Sequence, residues 1–234
     1  MAWGGLRRTP VVLGIIPLPA PDSRSAALTT GAGTELGWTL AVLDTVGHLC
    51  EIVIAPCREV DPAIPATVER CFTHTRIRLQ DPAPDRLTAI ARALAAAPPS
   101  DRVLVQSPER PQSPASISAA ILDTRFEGVV LSVPAKSTFK RVAGGVVRGT
   151  FPRETLVHLL GPAVFDRSLI EDALARDRED SWACGDEIAL ARRAGIRLRL
   201  ASREHFDPSP SLSSAFEFLD LATWSVAGIP ALET

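Results

Sequence analysis

The chain has 234 residues, of which 46% are hydrophobic, and its 25 basic and 27 acidic side chains give a formal net charge of −2 at pH 7. This length can bury a large core, so the fold does not require a disulfide or a metal ion. The nearly neutral charge and the lack of a long apolar segment exclude a general attraction to nucleic acid and a membrane span, and we expect neither partner.

Short apolar runs alternate with helical patterns along the chain. The apolar runs predict strands at Val11 to Pro17, Glu51 to Ala55, Arg76 to Leu79, Arg102 to Gln106, Gly128 to Val133 and Ile196 to Ala201. The helical patterns predict helices at Glu35 to Leu49, Pro62 to Phe72, Arg86 to Ala97, Pro114 to Leu122, Arg167 to Ala175, Asp186 to Ala194 and Leu212 to Trp224. This alternation predicts an α/β protein with a doubly wound, mostly parallel sheet. Because no composition shift or long linker divides the chain, we predict a single domain over residues 1–234.

Residues 135–157 do not fit the alternation. Their sequence, AKSTFKRVAGGVVRGTFPRETLV, has no helical apolar stripe, and β-branched residues flank Gly144 and Gly145. This pattern predicts a β-hairpin inserted into the domain. We call residues 135–157 the arm and expect it to reach a partner.

The four cysteines and four histidines lack the spacing of a metal site. No two cysteines form a CxxC pair, and the histidines are scattered along the chain. We therefore expect reduced thiols in a cytoplasmic protein, and no metal site built from these side chains.

Several polar segments occur at the ends of the predicted strands and in the arm. They read IPLPAPDSR (16–24), QSPERP (106–111), KSTFKRV (136–142) and CGDEIAL (184–190). In this order they resemble motifs of the methylerythritol phosphate cytidylyltransferases, which join CTP and methylerythritol phosphate in isoprenoid synthesis and release pyrophosphate. The resemblance covers nearly the whole chain and implies a Rossmann-like nucleotidyltransferase fold and a homodimer formed through the arm.

The first segment resembles the nucleotide-binding loop of this family, I-P-A-A-G-x-G-x-R. Pro17 and Arg24 match that motif and are implied to bind nucleotide, whereas Ala20 and Asp22 replace its two glycines. Glycine allows backbone N–H groups to reach phosphate oxygens, whereas an aspartate places negative charge beside them. The family's lysine shortly after this loop has no counterpart in residues 25–35.

Two further stretches have open interpretations. Gly31 to Gly33 are either a shifted phosphate loop or an ordinary connection. The second segment resembles the family's H-D-A-A-R-P signature. Arg110 is kept, and Ser107 replaces the aspartate. The resemblance implies that both positions bind nucleotide. A serine hydroxyl cannot supply the missing charge. Arg110 either contacts a phosphate or pairs with a carboxylate such as that of Glu109.

The arm segment resembles the family's D-T-x-K-R-V motif. Thr138, Lys140 and Arg141 are kept, and Arg153 falls where the family's arm carries a second arginine. The resemblance implies that these residues bind the phosphate of methylerythritol phosphate across the dimer. A hydroxyl and a guanidinium suit a phosphomonoester. The alternative is a solvated basic hairpin.

The last two matches concern acidic and cationic positions. Asp186 and Glu187 align with the family's T-D-E-A motif, and acid catalysis by this pair is one interpretation. They are also favourable residues for the first turn of a helix, which is the role that we expect. Ser211 stands where the family has a second catalytic lysine.

Taken together, these departures remove both family lysines, both loop glycines and the signature aspartate. Loss of one transition-state cation or donor costs about 2 to 4 kcal/mol. We therefore expect a degenerate, pseudoenzyme-like member that binds phosphate or a partner, such as another protein of the same pathway. The alternative is an active nucleotidyltransferase that moves CMP from CTP to a sugar or polyol phosphate, with Arg24 and Arg110 in catalytic roles and Mg²⁺ as cofactor. A third interpretation is a binding module that shares only the topology.

Overall fold

The structure, a computed structural model, describes residues 9–18, 35–60, 64–65, 68, 74–108 and 112–202. Its strands are β1 (Val12–Leu18), β2 (Leu49–Pro56), β3 (Ile77–Leu79), β4 (Arg102–Val105), β5 (Gly128–Pro134), β6 (Lys140–Ala143), β7 (Val146–Thr150), β8 (Val157–Asp166) and β9 (Leu198–Ser202). Its helices are α1 (Glu35–Asp44), α2 (Arg86–Ala96), α3 (Pro114–Leu122), α4 (Arg167–Asp180) and α5 (Glu187–Arg193), with a 3₁₀ turn at Arg153–Thr155.

Seven strands form one sheet in the order β3-β2-β1-β4-β8-β5-β9. β1 is parallel to β2 and β4, β2 is parallel to β3, and β5 is parallel to β9. β8 runs antiparallel between β4 and β5. The predicted α/β class with a mostly parallel sheet is confirmed.

Helices cover both faces of this sheet. One hydrophobic cluster packs α2, α4 and α5 against one face, and a second packs α1 and α3 against the other. β1 supplies both clusters because its side chains alternate, with Leu13 and Ile15 on the first face and Val12 and Ile16 on the second. This is the doubly wound arrangement predicted from the sequence.

Three helices begin at capping residues that are visible in the sequence. The Asp85 carboxylate accepts a hydrogen bond from the N–H of Thr88 (2.8 Å) before α2. Ser113 caps α3 in the same way, followed by Pro114 in the first turn. Asp186 caps α5. Such caps satisfy N–H groups that the helix itself leaves unpaired, so these starts could be predicted closely.

Two helices differ from their predicted bounds. α1 ends at Asp44 rather than Leu49, because Leu49 begins β2 and pairs with Val12 of β1. α4 continues to Asp180 rather than Ala175, through a charged stretch that carries no apolar stripe. Of the helix predicted at Pro62 to Phe72, residues 64, 65 and 68 are helical and the rest lies outside the described residues. The helix predicted at Leu212 to Trp224 also lies outside them.

The sequence patterns do not predict β8, and this omission is the main error about the fold. The strand begins on exposed residues and ends on buried ones, so it shows neither regular alternation nor one continuous apolar run. Gly161 has a φ of +66°, which favours glycine, and Pro162 has no N–H to donate. The register with β5 shifts at the same place, between Val130 and Ser132.

The arm is a two-stranded hairpin, as predicted. β6 and β7 pair with each other and are joined by Gly144 and Gly145, whose φ values are 58° and 74°. Positive φ at two successive residues is the requirement of a tight hairpin turn, and glycine meets it without strain. At the base, the N–H of Phe151 donates to the carbonyl of Phe139 (3.0 Å).

In the described ranges, no helix combines the length and the apolar character needed to cross a bilayer. The single domain over residues 1–234 stays a prediction.

Candidate functional site

The carboxyl ends of β1 and β4 form a topological switch point in the sheet. β2 lies on one side of β1 and β4 on the other, so the chain reverses its direction of winding between them. In open α/β sheets, ligands bind in the crevice outside such a point. Two of the predicted nucleotide-binding residues, Pro17 and Ser107, lie at this edge.

Hydrogen bonds hold these two residues in place. The N–H of Gln106 donates to the carbonyl of Ile15 (3.0 Å), which joins the end of β4 to β1 directly before Ser107. The side-chain amide of Gln106 then donates to the carbonyl of Ser107 (2.7 Å). Pro17 is buried in β1 opposite Ala55. The structure therefore brings Pro17 and Ser107 to one crevice.

Helix α1 fixes the segment that follows Ser107. The buried hydroxyl of Thr39 donates to the carbonyl of Pro108 (3.1 Å), so this loop is anchored on α1. The predicted nucleotide-binding arginines Arg24 and Arg110 lie outside the described residues, as do Gly31 to Gly33 and Ser211.

The four predicted phosphate-binding residues of the arm are all exposed. The ammonium group of Lys140 donates to the hydroxyl of Thr150 (2.6 Å) on the opposite strand. Arg141 pairs with Gly149, which has no side chain to cover the guanidinium. Arg153 has Glu154 as neighbour, with 3.7 Å between Nε and Oε1, and both side chains are mostly exposed. Such an exposed pair contributes little stability, so the Arg153 guanidinium is available to another anion.

The arm is strongly basic although the whole chain is slightly acidic. It carries five basic residues and one acidic residue, a formal charge of +4 (five minus one), against −2 for the whole chain. These residues are Lys136, Lys140, Arg141, Arg148, Arg153 and Glu154. A local concentration of positive charge attracts anionic ligands even where the net charge of the protein is negative.

The arm also exposes large apolar side chains. Six of them have relative accessibilities between 38% and 59%, namely Phe139, Val142, Val146, Val147, Phe151 and Val157. The ring of Phe139 lies beside that of His158, with 5.8 Å between centroids. Contiguous exposed apolar surface in a folded protein marks an interaction site.

Asp186 and Glu187 have structural roles. Asp186 caps α5 by accepting the N–H of Ala189 (2.7 Å). The buried carboxylate of Glu187 accepts hydrogen bonds from Nε (2.7 Å) and Nη2 (2.8 Å) of Arg86. Burial lowers the pKa of Arg86, but the contact with Glu187 outweighs it and the net shift is upward. This geometry supports the structural interpretation of both residues over a role in acid catalysis.

The sequence patterns miss one residue at the same edge of the sheet. Arg58 follows β2 and has a φ of 69°, a left-handed conformation that is uncommon for residues other than glycine. Its neighbour Cys57 donates its N–H to the carbonyl of Leu18 (2.9 Å), so Arg58 stands close to the end of β1. Only the backbone geometry could single out this residue.

We find no catalytic cluster among the other titratable groups of the described residues. Burial raises the pKa of the Cys57 and Cys50 thiols, which disfavours reactive thiolates. Within the described ranges, His, Cys, Asp and Glu side chains do not gather in groups of three or more that could hold a metal ion. Ser107, directly after β4, has a hydroxyl, which is a weak ligand for magnesium compared with the carboxylate of the family motif.

Comparison with known proteins identifies related sequences. The family described as IspD, 2-C-methyl-D-erythritol 4-phosphate cytidylyltransferase, matches residues 25–205. The enzyme of that name from Solibacter usitatus is 30% identical over 155 residues, which is 63% of this chain and 64% of that protein. The one from Geotalea uraniireducens is 28% identical over 177 residues, 73% of this chain and 76% of that protein. The match thus spans just under two thirds of the Solibacter protein and about three quarters of the Geotalea protein.

Solved structures resemble the fold. The 2-C-methyl-D-erythritol 4-phosphate cytidylyltransferase of Thermus thermophilus superposes with a TM-score of 0.64 at 22% identity and covers 90% of this chain and 97% of its own. The 4-diphosphocytidyl-2C-methyl-D-erythritol synthase of Anaerococcus prevotii gives a TM-score of 0.69 at 20% identity, with coverages of 82% and 88%. These similarities show a shared nucleotidyltransferase fold.

Proposed function

The chain belongs to the 2-C-methyl-D-erythritol 4-phosphate cytidylyltransferase family, and we propose that it binds a polyol phosphate on its arm and a nucleotide at the switch point, with strongly reduced CMP transfer. The observation that carries this proposal is the uneven distribution of the family's motifs. The arm keeps its threonine and its cationic residues, whereas the loop after β1 has lost both glycines and the lysine that follows, and the end of β4 has lost the signature aspartate.

Binding of phosphate on the arm needs little rearrangement. Arg141 and Arg153 are exposed and have no strong carboxylate partner among the described residues, and Lys140 contacts only a neutral hydroxyl. A guanidinium can bind two phosphate oxygens at once, and Thr138 can donate a hydrogen bond to a third. The positive charge of the arm thus exceeds what its described carboxylate neutralises. The excess can bind a phosphomonoester.

Transfer of CMP requires charge at the other end of the site. Phosphoryl chemistry depends on positioning and on neutralising the charge that develops on the phosphates. Ser107 supplies a hydroxyl at the end of β4 where the family motif has a carboxylate, and Asp22 adds negative charge to the loop after β1. With a weak donor set on the protein, magnesium would arrive bound to the triphosphate and be held mainly by it. Each missing group costs about 2 to 4 kcal/mol in the transition state.

The proposal includes a homodimer formed through the arm. The six exposed apolar side chains of the arm support it, because they need a partner to leave water. Another protein of the same pathway is the alternative partner, and a cytoplasmic location remains a prediction.

The transfer step is tested by pyrophosphate release with CTP, Mg²⁺ and methylerythritol phosphate. The similar enzyme from Escherichia coli O1:K1, 30% identical over 132 residues, is the reference. We expect a kcat/KM about a hundredfold or more below the reference, which corresponds to the loss of one or more charged groups. Ser107→Asp should raise the rate, since it restores the motif's charge. A wild-type rate equal to that of the reference would show that transfer is not impaired.

Phosphate binding on the arm is tested separately by thermal shift with methylerythritol phosphate alone. A ligand at a hundredfold its dissociation constant adds about 2.7 kcal/mol, which raises the Tm of a protein of this size by roughly five to ten degrees. Arg153→Ala and Thr138→Ala should abolish the shift, whereas Arg176→Ala, which removes an exposed arginine of α4, should keep it. An unchanged shift in Arg153→Ala would rule out the arm as the phosphate site.

An active transferase with rearranged chemistry is the second candidate. It is favoured by relatives at 28% to 30% identity that bear the name of the enzyme. In that case Arg24 and Arg110 would carry the charge, and replacing either by alanine would abolish a measurable wild-type activity without unfolding the protein. Membership of the family argues against a module that shares only the topology.

A further inference from the structure

Arg58 lies at the edge of the nucleotide crevice. It follows Cys57, whose N–H donates to the carbonyl of Leu18, the last residue of β1 (2.9 Å). The loop that replaces the family's phosphate loop begins at the next residue of the chain, Pro19. Arg58 is therefore adjacent to the point where the triphosphate of a nucleotide would enter.

The backbone of Arg58 is in a conformation that arginine adopts only at a cost. Its φ of 69° lies in the left-handed region, where a Cβ atom crowds the following carbonyl. The conformation is held by hydrogen bonds on either side, from the N–H of Arg58 to the carbonyl of Ala83 and from the N–H of Glu59 to the carbonyl of Cys57 (3.0 Å). Strained residues of this kind are concentrated at ligand sites, where the side chain is needed.

The charge of Arg58 is uncommitted within the described part of the chain. Its side chain is exposed and forms no hydrogen bond or ion pair with another described residue. Arg86, the nearby arginine of α2, is by contrast held by two hydrogen bonds to the buried Glu187 carboxylate. Among the described residues, Arg86 has a carboxylate partner, whereas the exposed guanidinium of Arg58 has none.

We propose that Arg58 is an additional phosphate-binding residue, which supplies positive charge to the polyphosphate of a nucleotide bound at the switch point. The inference rests on the proposed nucleotide binding and adds a cation that the family's motifs do not contain. It explains why a large side chain occupies a position at which glycine would be more stable. The guanidinium would partly replace the charge of the missing loop lysine, although its fork is not a point charge.

Variants at position 58 separate the charge from the backbone strain. Arg58→Gly removes both, Arg58→Ala removes the charge alone, and Arg58→Lys keeps the charge. The probes are CTP and inorganic tripolyphosphate, each with Mg²⁺, titrated by calorimetry. We expect the glycine and alanine variants to bind both probes about tenfold more weakly, which is the loss of one charge-assisted contact, and the lysine variant to stay within about threefold of wild type.

The melting temperature supplies an independent readout. Relief of the left-handed strain should raise the Tm of Arg58→Gly by roughly 2 °C while its binding is weakened. A residue with a purely structural role would not show higher stability together with lower affinity. Arg176→Ala, the control, should bind both probes as wild type does.

The outcomes distinguish this inference from the function on which it rests. If wild type binds CTP and Arg58→Gly binds it equally well, the inference is wrong and the nucleotide site stands. If wild type binds tripolyphosphate in an Arg58-dependent manner but not CTP, Arg58 is a phosphate-binding residue, whereas the nucleotide site, and with it the role of Arg58 toward a nucleotide, is wrong. If wild type binds neither probe, both are wrong.

Discussion

Charged residues in the described part of the chain have different surroundings. Several of those in the sheet and its helices hold the fold, as shown by Arg102, which is buried and donates to the carbonyls of Ile121 and Phe126. Those of the arm, and Arg58, face water instead. A buried charge must be paired because its desolvation is costly, whereas an exposed charge can await a ligand.

Asp123 shows how such pairing makes stability depend on pH. Arg125, hydrogen-bonded to the carboxylate (2.9 Å), lowers the pKa of Asp123, burial opposes this, and Arg199 lowers it further. The pKa is therefore lower in the folded state than in the unfolded state. The stabilisation is present above the unfolded pKa of about 3.9 and is lost as the pH falls through the lower, folded value.

We expect Asp123→Asn to lower the free energy of unfolding by about 1.5 kcal/mol at pH 7, the contribution of hydrogen bonds to a charged group. The difference from wild type should shrink as the pH falls below about 4. Urea unfolding at neutral and acidic pH measures both values. Asp172→Asn, an exposed carboxylate of α4, is the control. A loss that stays constant across this pH range would contradict the assignment.

At the scale of elements, the arm is distinguished from every other described strand by its exposure. β6 consists of exposed residues throughout and β7 nearly so, and Val142 and Val147 are paired across the hairpin at 57% and 59% accessibility. An isolated two-stranded hairpin is marginally stable in water. We therefore expect it to be stabilised by a second copy of the chain.

Replacing Val142 and Val147 with threonine should weaken the dimer without unfolding the arm. Threonine keeps the β-branched shape that strands favour, but it removes apolar area from the interface. We expect the dimer dissociation constant to rise by roughly tenfold or more. Light scattering after size exclusion measures it, with Leu122→Gln, an exposed apolar residue of α3, as the control. A monomeric wild type, or an unchanged double variant, would contradict the proposed dimer.

For the molecule as a whole, the core and the arm are separable. The buried residues of both hydrophobic clusters come mostly from the sheet and the helices, and none comes from residues 135–157. The described ion pair of the arm, between Arg153 and Glu154, stays within the arm. The rest of the chain, which we call the body, therefore contains the hydrophobic contacts that stabilise its fold.

Shortening the arm should leave the body folded. Residues 140–150 can be replaced by Asn-Gly, because Phe139 and Phe151 are already joined by a backbone hydrogen bond and this dipeptide favours a two-residue turn. We expect a folded monomer with a Tm within about 3 °C of wild type, no response to methylerythritol phosphate and retained binding of CTP. Circular dichroism and the two thermal shifts measure this. Loss of the folded state would show that the arm supports the core.

Local patterns in the sequence were sufficient for the class of fold and for most of its elements. The alternation of apolar runs and helical stripes predicts a doubly wound sheet because burial on two faces imposes those periods on each segment. The capping residues Asp85 and Ser113 and the pair Gly144 and Gly145 act on their immediate neighbours, so their effects could be predicted without the rest of the chain. The order of several short motifs along nearly the whole chain predicted the family, which the match to its family model over residues 25–205 confirms.

Tertiary structure alone decided which distant residues meet. β8 takes its place between β4 and β5 through pairing with strands far away in the chain, and its own residues carry no clear period. Glu187 is separated by 101 positions from Arg86, and their contact turns a candidate catalytic acid into a structural anion. Arg58 becomes notable only through its backbone angle and its contact with the end of β1. Sequence periodicity reports which face of an element is buried, whereas partners across the sheet depend on how all the elements pack.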